Sequence, residues 1–288
     1  MTAPYTTLIS ASELQSLKTA QAPLLVFDCS FELMDPAAAD RLFTTGRIAG
    51  AIQAHLERHL SASSPNQAIN GGRHPLPRRE WFARWLREAG LNQTDQVVVY
   101  DRNGANYCGR LWWMLKWAGH EAVAVLDGGL QAWQAIGGPL ESGPATPQPA
   151  GDFQLSDEKA VLVTTQDLAR ALGRPGQTII DARAGARFRG EIEPLDPVAG
   201  HIPGALNRPF GENLGSDGRF KSAAVLRAEF DALLAGRDPA TVVHHCGSGV
   251  SAVPNLLAME VAGLGRMPLY AGSWSEWCNT PGLPVARG

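Results

Sequence analysis

The stretch V-V-H-H-C-G-S-G-V-S-A, Val242 to Ala252, gathers two imidazoles, a thiol and two hydroxyls, and two of the three positions after Cys246 are glycine. Its β-branched opening reads as a strand. Beyond it, V-P-N-L-L-A-M-E-V-A-G has apolar residues at Val253, Leu256, Leu257 and Val261, the spacing of one helical face, with Gly263 as a stop. Pro254 fits only the first turn of that helix, so the helix must begin near Ser251. Cys246 therefore ends a strand, and Gly247 to Ser251 form a loop entering a helix N-terminus. Gly247 and Gly249 let the backbone N–H groups of that loop, with those of Val250 and Ser251, converge on one point, which favours a thiolate. A nucleophilic sulfur is the expected chemistry.

Competing readings of these residues are weaker. His244 and His245 are neighbours on a strand and face opposite ways, and no other cysteine or histidine has ligand spacing, so no metal is expected. A cysteine phosphatase needs C-x5-R, and the arginine position is Ala252. Cys29, Cys108 and Cys278 have no comparable loop and read as inert thiols. Trp112, Trp113 and Trp117 fit the inner face of a helix, Trp274 and Trp277 read as structural, and His201 as a turn cap. Asp28 and Asp181 end strands and read as loop braces, Arg102 as a surface charge and Arg110 as a structural ion pair.

The elements that position the thiol occur twice. L-L-V-F-D ending at Asp28 matches T-I-I-D ending at Asp181, and G-R-I-A-G-A-I from Gly46 recurs as G-H-I-P-G-A-L from Gly200, an offset of 200 − 46 = 154. V-V-V-Y-D ending at Asp101 matches V-V-H-H-C, and L-D-G-G-L-Q-A-W matches L-Y-A-G-S-W-S-E-W. Each copy alternates short strands (Leu24–Phe27, Val97–Tyr100, Ala122–Leu126; Thr178–Ile180, Thr241–His244, Met267–Tyr270) with helix-period segments. That alternation implies α/β domains in which a parallel sheet is flanked by helices. The proline-rich segment after Glu141 reads as a linker, giving domains 1–140 and 156–288 joined by residues 141–155. Asp101 stands where the second copy has Cys246, so the first domain is expected to wall the site, and a crevice between the domains to form the pocket.

The 288 residues carry 25 Lys plus Arg against 28 Asp plus Glu, so no broad cationic surface points to nucleic acid or anionic lipid. The N-terminus lacks a cationic region followed by an apolar one, and no apolar run approaches a membrane span. Four widely spaced cysteines suit reduced thiols, and a cytoplasmic protein is expected.

Taken together, D-A-R…R-F-R-G, G-H-I-P-G-A, C-G-S-G-V-S-A and A-G-S-W-S-E-W, with the diverged G-R-I-A-G-A, H-P-L-P, R-L-W-W and D-G-G-L-Q-A-W, resemble the tandem rhodanese-type sulfurtransferases over nearly the whole chain. The resemblance implies two rhodanese-like domains and a persulfide on Cys246, formed from a small sulfur donor and passed to a thiol, thioredoxin or cyanide, without a cofactor. C-G-S-G-V is similar to the loop of members that use 3-mercaptopyruvate, whereas thiosulfate-specific members resemble C-R-K-G-V-T; a thiosulfate:cyanide activity, or a sulfur-carrying or binding role without turnover, is the alternative. By the same resemblance Ser248 serves as substrate contact or proton relay, helped by His74 and an acid from the first domain. Glu57 falls at the acid position, where the family usually has Asp. Arg187, in A-R-F-R-G, matches the first arginine that binds the donor carboxylate. Between Gly190 and Gly200 there is no basic residue to supply the second, and Arg189 or Arg208 could substitute by position.

Overall fold

Five parallel strands make the first sheet, in the order Leu8–Ile9, Val123–Leu126, Gln96–Tyr100, Leu24–Asp28, Ile52–Gln53. Its centre, Q-V-V-V-Y, is buried throughout, as a strand covered by helices on both faces must be. The helix Ala11–Thr19 begins with a reciprocal cap: Ser10 Oγ accepts from the Glu13 N–H at 3.2 Å, and the Glu13 carboxylate accepts from the Ser10 N–H at 2.8 Å. The helix Cys108–Trp117 is buried at every position, so Trp112, Trp113 and Trp117 are core.

The second sheet repeats this plan with Val242–His245, Thr178–Asp181 and Leu206–Asn207 in parallel. The expected strand Met267–Tyr270 is reduced to isolated parallel bridges, from Leu269 to His244 and to Leu162. Pro268 is the reason, since it has no N–H to donate and only its carbonyl joins the ladder, accepting from His244 at 3.0 Å. Trp274 and Trp277 are fully buried in this unit's core with Ile179 and Tyr270.

The computed structural model describes residues 3–288, in two compact units. One comprises the chain up to Ser63 with Pro77–Lys159 and Ser216–Arg219; the other comprises Ser64–Leu76, Ala160–Gly215 and Phe220–Gly288. Residues 141–155, expected as a linker, belong to the first unit: Phe153 is fully buried, its N–H bonded to the Leu91 carbonyl at 3.1 Å. Residues 64–76, expected in the first domain, belong to the second unit, because Gly72 packs against its backbone. A Cβ on Gly72 would stand 2.7 Å from the Gly272 carbonyl oxygen, and its φ of +89° is one that glycine adopts freely. Among the described residues no helix is long and apolar enough to cross a membrane.

Each unit holds a histidine, half-buried His59 in the first and buried His244 in the second, that desolvation keeps neutral. His59 is held at about 4 and His244 at about 3, against an ordinary 6.5, first by desolvation and then by nearby positive charge. Depressed ionisation stabilises the fold fully above pH 6.5, and the contribution is lost as pH falls toward the folded-state value. Melting temperature should therefore be level above neutrality and fall below about pH 6, with each such histidine contributing a slope of about 1.4 kcal/mol per pH unit. Melts of the wild type and His244→Leu between pH 4 and 8 check this. Equal slopes for the two proteins would show that His244 is not held neutral.

Candidate active site

Cys246 follows the last residue of the strand Val242–His245 and is buried, with the helix Val253–Val261 starting seven residues later and Pro254 in its first turn, as expected from the sequence. The segment Ala271–Ser275 braces the loop. The Cys246 N–H donates to Ser273 Oγ at 3.1 Å, and the Cys246 and Gly247 carbonyls accept from the Trp274 and Ser275 N–H groups at 2.9 Å each. Gly249 has a φ of +73°, and a Cβ on it would overlap the Ala271 carbonyl oxygen, so this turn requires glycine.

Under the loop lies a buried ionic lattice. Asp181 ends the neighbouring strand; Arg183 donates to it through Nε at 3.1 and 3.0 Å and through Nη2 at 2.6 Å, and its guanidinium lies 4.7 Å from the Trp274 ring. Burial alone would raise the Asp181 ionisation, but His245, 3.6 Å away, and the Arg183 fork together hold it low. Asp181 is thus a brace, as expected. So is Asp28, which accepts from Tyr100 Oη at 2.8 Å and pairs with a partly buried Arg102 that also bonds Ser30 and the Gly46 carbonyl. Arg102 is therefore structural rather than a surface charge.

His74 and Ser248 share a 2.8 Å hydrogen bond from Nδ1 to Oγ, and both are buried. That places the imidazole beside the hydroxyl two residues beyond the thiol. Arg187 lies on the short helix Gly185–Phe188 that follows the strand Thr178–Asp181. Its Nη1 and Nη2 stand 3.5 and 3.7 Å from where a Cβ of Gly247 would be, so the guanidinium reaches the peptide that follows Cys246. Glu193 anchors it, accepting from Nη2 at 2.6 Å and from the Leu195 and Asp196 N–H groups at 3.1 and 3.2 Å. Of the residues singled out from the sequence, Cys246, Gly247, Ser248, Gly249, Val250, Ser251, His74 and Arg187 belong to the second unit, whereas Glu57 is an exposed residue of the first.

Neither arginine offered as a substitute for the second cation reaches the loop. Arg189 is exposed and paired with Glu191 at 2.6 Å; Arg208 is buried over the Phe230 ring, bonded to Asn213 and Glu229. Arg73 was not anticipated from the sequence, although it directly precedes His74. Its Nη2 would stand 3.2 Å from a Gly247 Cβ, nearer than Arg187. His244 contacts Met259 Sδ at 3.0 Å inside the core, and His201 stacks on Phe188 at 3.9 Å; among the described residues neither meets a cluster of ligating residues.

The first copy shows what such a loop does with a negative charge. Asp101, in place of the cysteine, accepts four backbone N–H bonds: from Asn103 and Ala105 at 2.8 and 3.1 Å on one oxygen, and from Tyr107 and Cys108 at 2.8 and 2.9 Å on the other. Gly104, three residues beyond Asp101, has a φ of +68°, close to the +73° of Gly249 three residues beyond Cys246. In the first copy the loop is an anion cradle, filled by a carboxylate of the chain itself.

A family model described as a rhodanese-like domain matches residues 10–136 and again 164–280. A probable 3-mercaptopyruvate sulfurtransferase of Pseudomonas aeruginosa is 47% identical over 282 residues, covering 98% of both chains. A putative thiosulfate sulfurtransferase of Mycobacterium tuberculosis is 39% identical over 285 residues, with 98% of this chain and 97% of that one covered. The crystal structure of the Escherichia coli protein SseA, a 3-mercaptopyruvate enzyme of rhodanese fold, superposes with a TM-score of 0.78 at 34% identity, over 94% of this chain and 100% of that one. With the thiol loop present in one of two matched copies, the chain belongs to the rhodanese family, as a tandem-domain sulfurtransferase.

Proposed function

We propose that the protein takes sulfur from 3-mercaptopyruvate onto Cys246 and passes it to an acceptor thiol, on a small molecule or on a protein such as thioredoxin, or to cyanide. The Cys246 thiolate attacks the donor's sulfur; the S–C bond breaks and its electrons pass to the pyruvate enolate. The donor's thiol proton ends on the enolate carbon, carried by Ser248 and His74, leaving Cys246 as a persulfide and pyruvate as product. The acceptor thiolate then attacks the outer sulfur and restores the Cys246 thiolate. Loop amides between Gly247 and Ser251 hold the negative charge in both states, as those of Asn103 and Ala105, which match Ser248 and Val250, hold that of Asp101, and Arg187 holds the donor carboxylate.

The observation that carries this reading is the 2.8 Å bond between Ser248 and His74 beside the thiol. A departing enolate needs a proton, and a departing sulfite does not. The loop itself has no charged residue from Cys246 to Ser251. All four cysteines are free, which suits a reducing compartment and supports action in the cytoplasm.

Initial rates with 3-mercaptopyruvate and with thiosulfate, cyanide being the acceptor, test the donor. A large preference for mercaptopyruvate is expected, together with a rise in its KM of about 10- to 100-fold in Arg187→Ala, the scale of a lost bond between charged groups. Faster turnover of thiosulfate would overturn the assignment of donor while leaving the persulfide step intact.

A further inference from the structure

We propose that Arg73 is the second cation of the donor-carboxylate clamp, acting with Arg187 across Gly247, and that Asp196 occupies the clamp when no donor is bound. The inference deepens the donor reading above and rests on it.

The position that supplies this cation in similar sequences is empty of basic residues here, Gly190 to Gly200 reading G-E-I-E-P-L-D-P-V-A-G. The charge comes instead from the segment that brings His74. Gly72 packs tightly against Gly272 and Ser275, and the next residue, Arg73, donates its backbone N–H to Ser275 Oγ at 3.0 Å, fixing where its side chain starts. Its Nη2 then lies over Gly247 at 3.2 Å from the Cβ position, with both terminal nitrogens of Arg187 within 3.7 Å of the same point. Two guanidinium groups thus reach the peptide next to Cys246, while Ser248, one residue on, is bonded to His74. Arg73 and His74 deliver the cation and the proton carrier to one loop from adjacent positions.

Asp196 shows that one carboxylate can span both arginines. Its Oδ1 accepts from Arg73 Nη1 at 2.7 Å, and its Oδ2 stands 3.4 Å from Arg187 Nη2. Its ties differ from those of Glu193. Glu193 also accepts two backbone N–H bonds, whereas Asp196 is buried beside the Glu193 charge, and desolvation followed by that charge raises its ionisation in spite of the two arginines. A carboxylate so placed is the easier one to exchange. Arg73 Nε is buried without a hydrogen-bond partner, leaving a donor unused in the present arrangement. Arg73 and Asp196 line a cavity of about 500 Å³ with Gly72, Leu195, Pro197 and Glu276, which gives the pair an open side.

The test compares 3-mercaptopyruvate with mercaptoacetone, the same thiol and ketone without the carboxylate, on the wild type, Arg73→Gln and Arg73→Lys. In Arg73→Gln the KM for mercaptopyruvate should rise about 10-fold or more, with kcat changed less than about threefold and mercaptoacetone kinetics unaltered. The inhibition constant of pyruvate should rise in parallel, and Arg73→Lys, which keeps charge without the planar fork, should fall between. Equal losses on both ketones, or an unchanged KM for mercaptopyruvate, would make Arg73 a brace of the loop and overturn the inference. Failure of the donor reading shows separately, in the wild type, as no advantage of mercaptopyruvate over mercaptoacetone, and removes the inference with it. Should Arg73→Gln not fold, the KM shift of Arg73→Lys decides.

Discussion

Replacing Cys246 by Ser is expected to abolish sulfur transfer while leaving the fold in place. The thiol is the group on which the transferred sulfur rides, so the loss should be on the order of 10⁶-fold, the scale for a nucleophile that acts as a unit with its partners. Stability should move little, because Ser is close in size to Cys and the loop is held by the Cys246 backbone, through Ser273 Oγ and the Trp274 N–H, not by its side chain. Mass spectrometry after exposure to donor alone separates chemistry from release: the wild type should gain one sulfur atom, and Cys246→Ser none. Sulfur retained by Cys246→Ser would remove Cys246 from the reaction.

Gly249→Ala should also damage activity, by another route and to a smaller extent. An L-residue at φ +73° costs about 1–2 kcal/mol, and the added Cβ meets backbone, the Ala271 carbonyl oxygen and, at 2.8 Å, the Ala271 Cα. Backbone cannot step aside as a side chain can, so the total is about 2–5 kcal/mol, and the loop must shift relative to Trp274 and Ser275. Gly247→Ala is the control. Its Cβ meets only the ends of Arg73 and Arg187, so its melting temperature should stay near that of the wild type while KM rises. Thermal melts alongside single-turnover persulfide formation check the pair. A Gly249→Ala protein that melts normally and forms persulfide at the wild-type rate would show that the loop does not depend on that turn.

Much of this was legible in the sequence because the repeat states it twice. The β-branched runs located the three central strands of the first sheet and two of the three of the second, but not the short Leu8–Ile9, Ile52–Gln53 and Leu206–Asn207, and V-V-H-H-C-G-S-G with Pro254 placed Cys246 at a strand end before a helix, where it stands. What failed did so for want of long-range information. Met267–Tyr270 has strand composition, but Pro268 leaves only bridges there. The segment 64–76 precedes the helix Arg79–Glu88 of the first copy, and local pattern could not reveal that Gly72 seats it on the second unit. Arg73 was hidden by the same cause: a cation sought near Arg187 in the chain came from over a hundred residues away, and the two meet in space at Gly247 and at Asp196.

The filled cradle at Asp101 also sets the molecule's capacity. A carboxylate that already holds four amide bonds offers no nucleophilic sulfur and leaves those amides nothing further to hold. The two thiols of that unit, Cys29 and Cys108, are fully buried, and desolvation followed by the Asp101 charge pushes both well above an ordinary thiol. In the proposed reaction each chain therefore carries a single sulfur equivalent at a time, and the duplication that built two domains left a carrier with a stoichiometry of one.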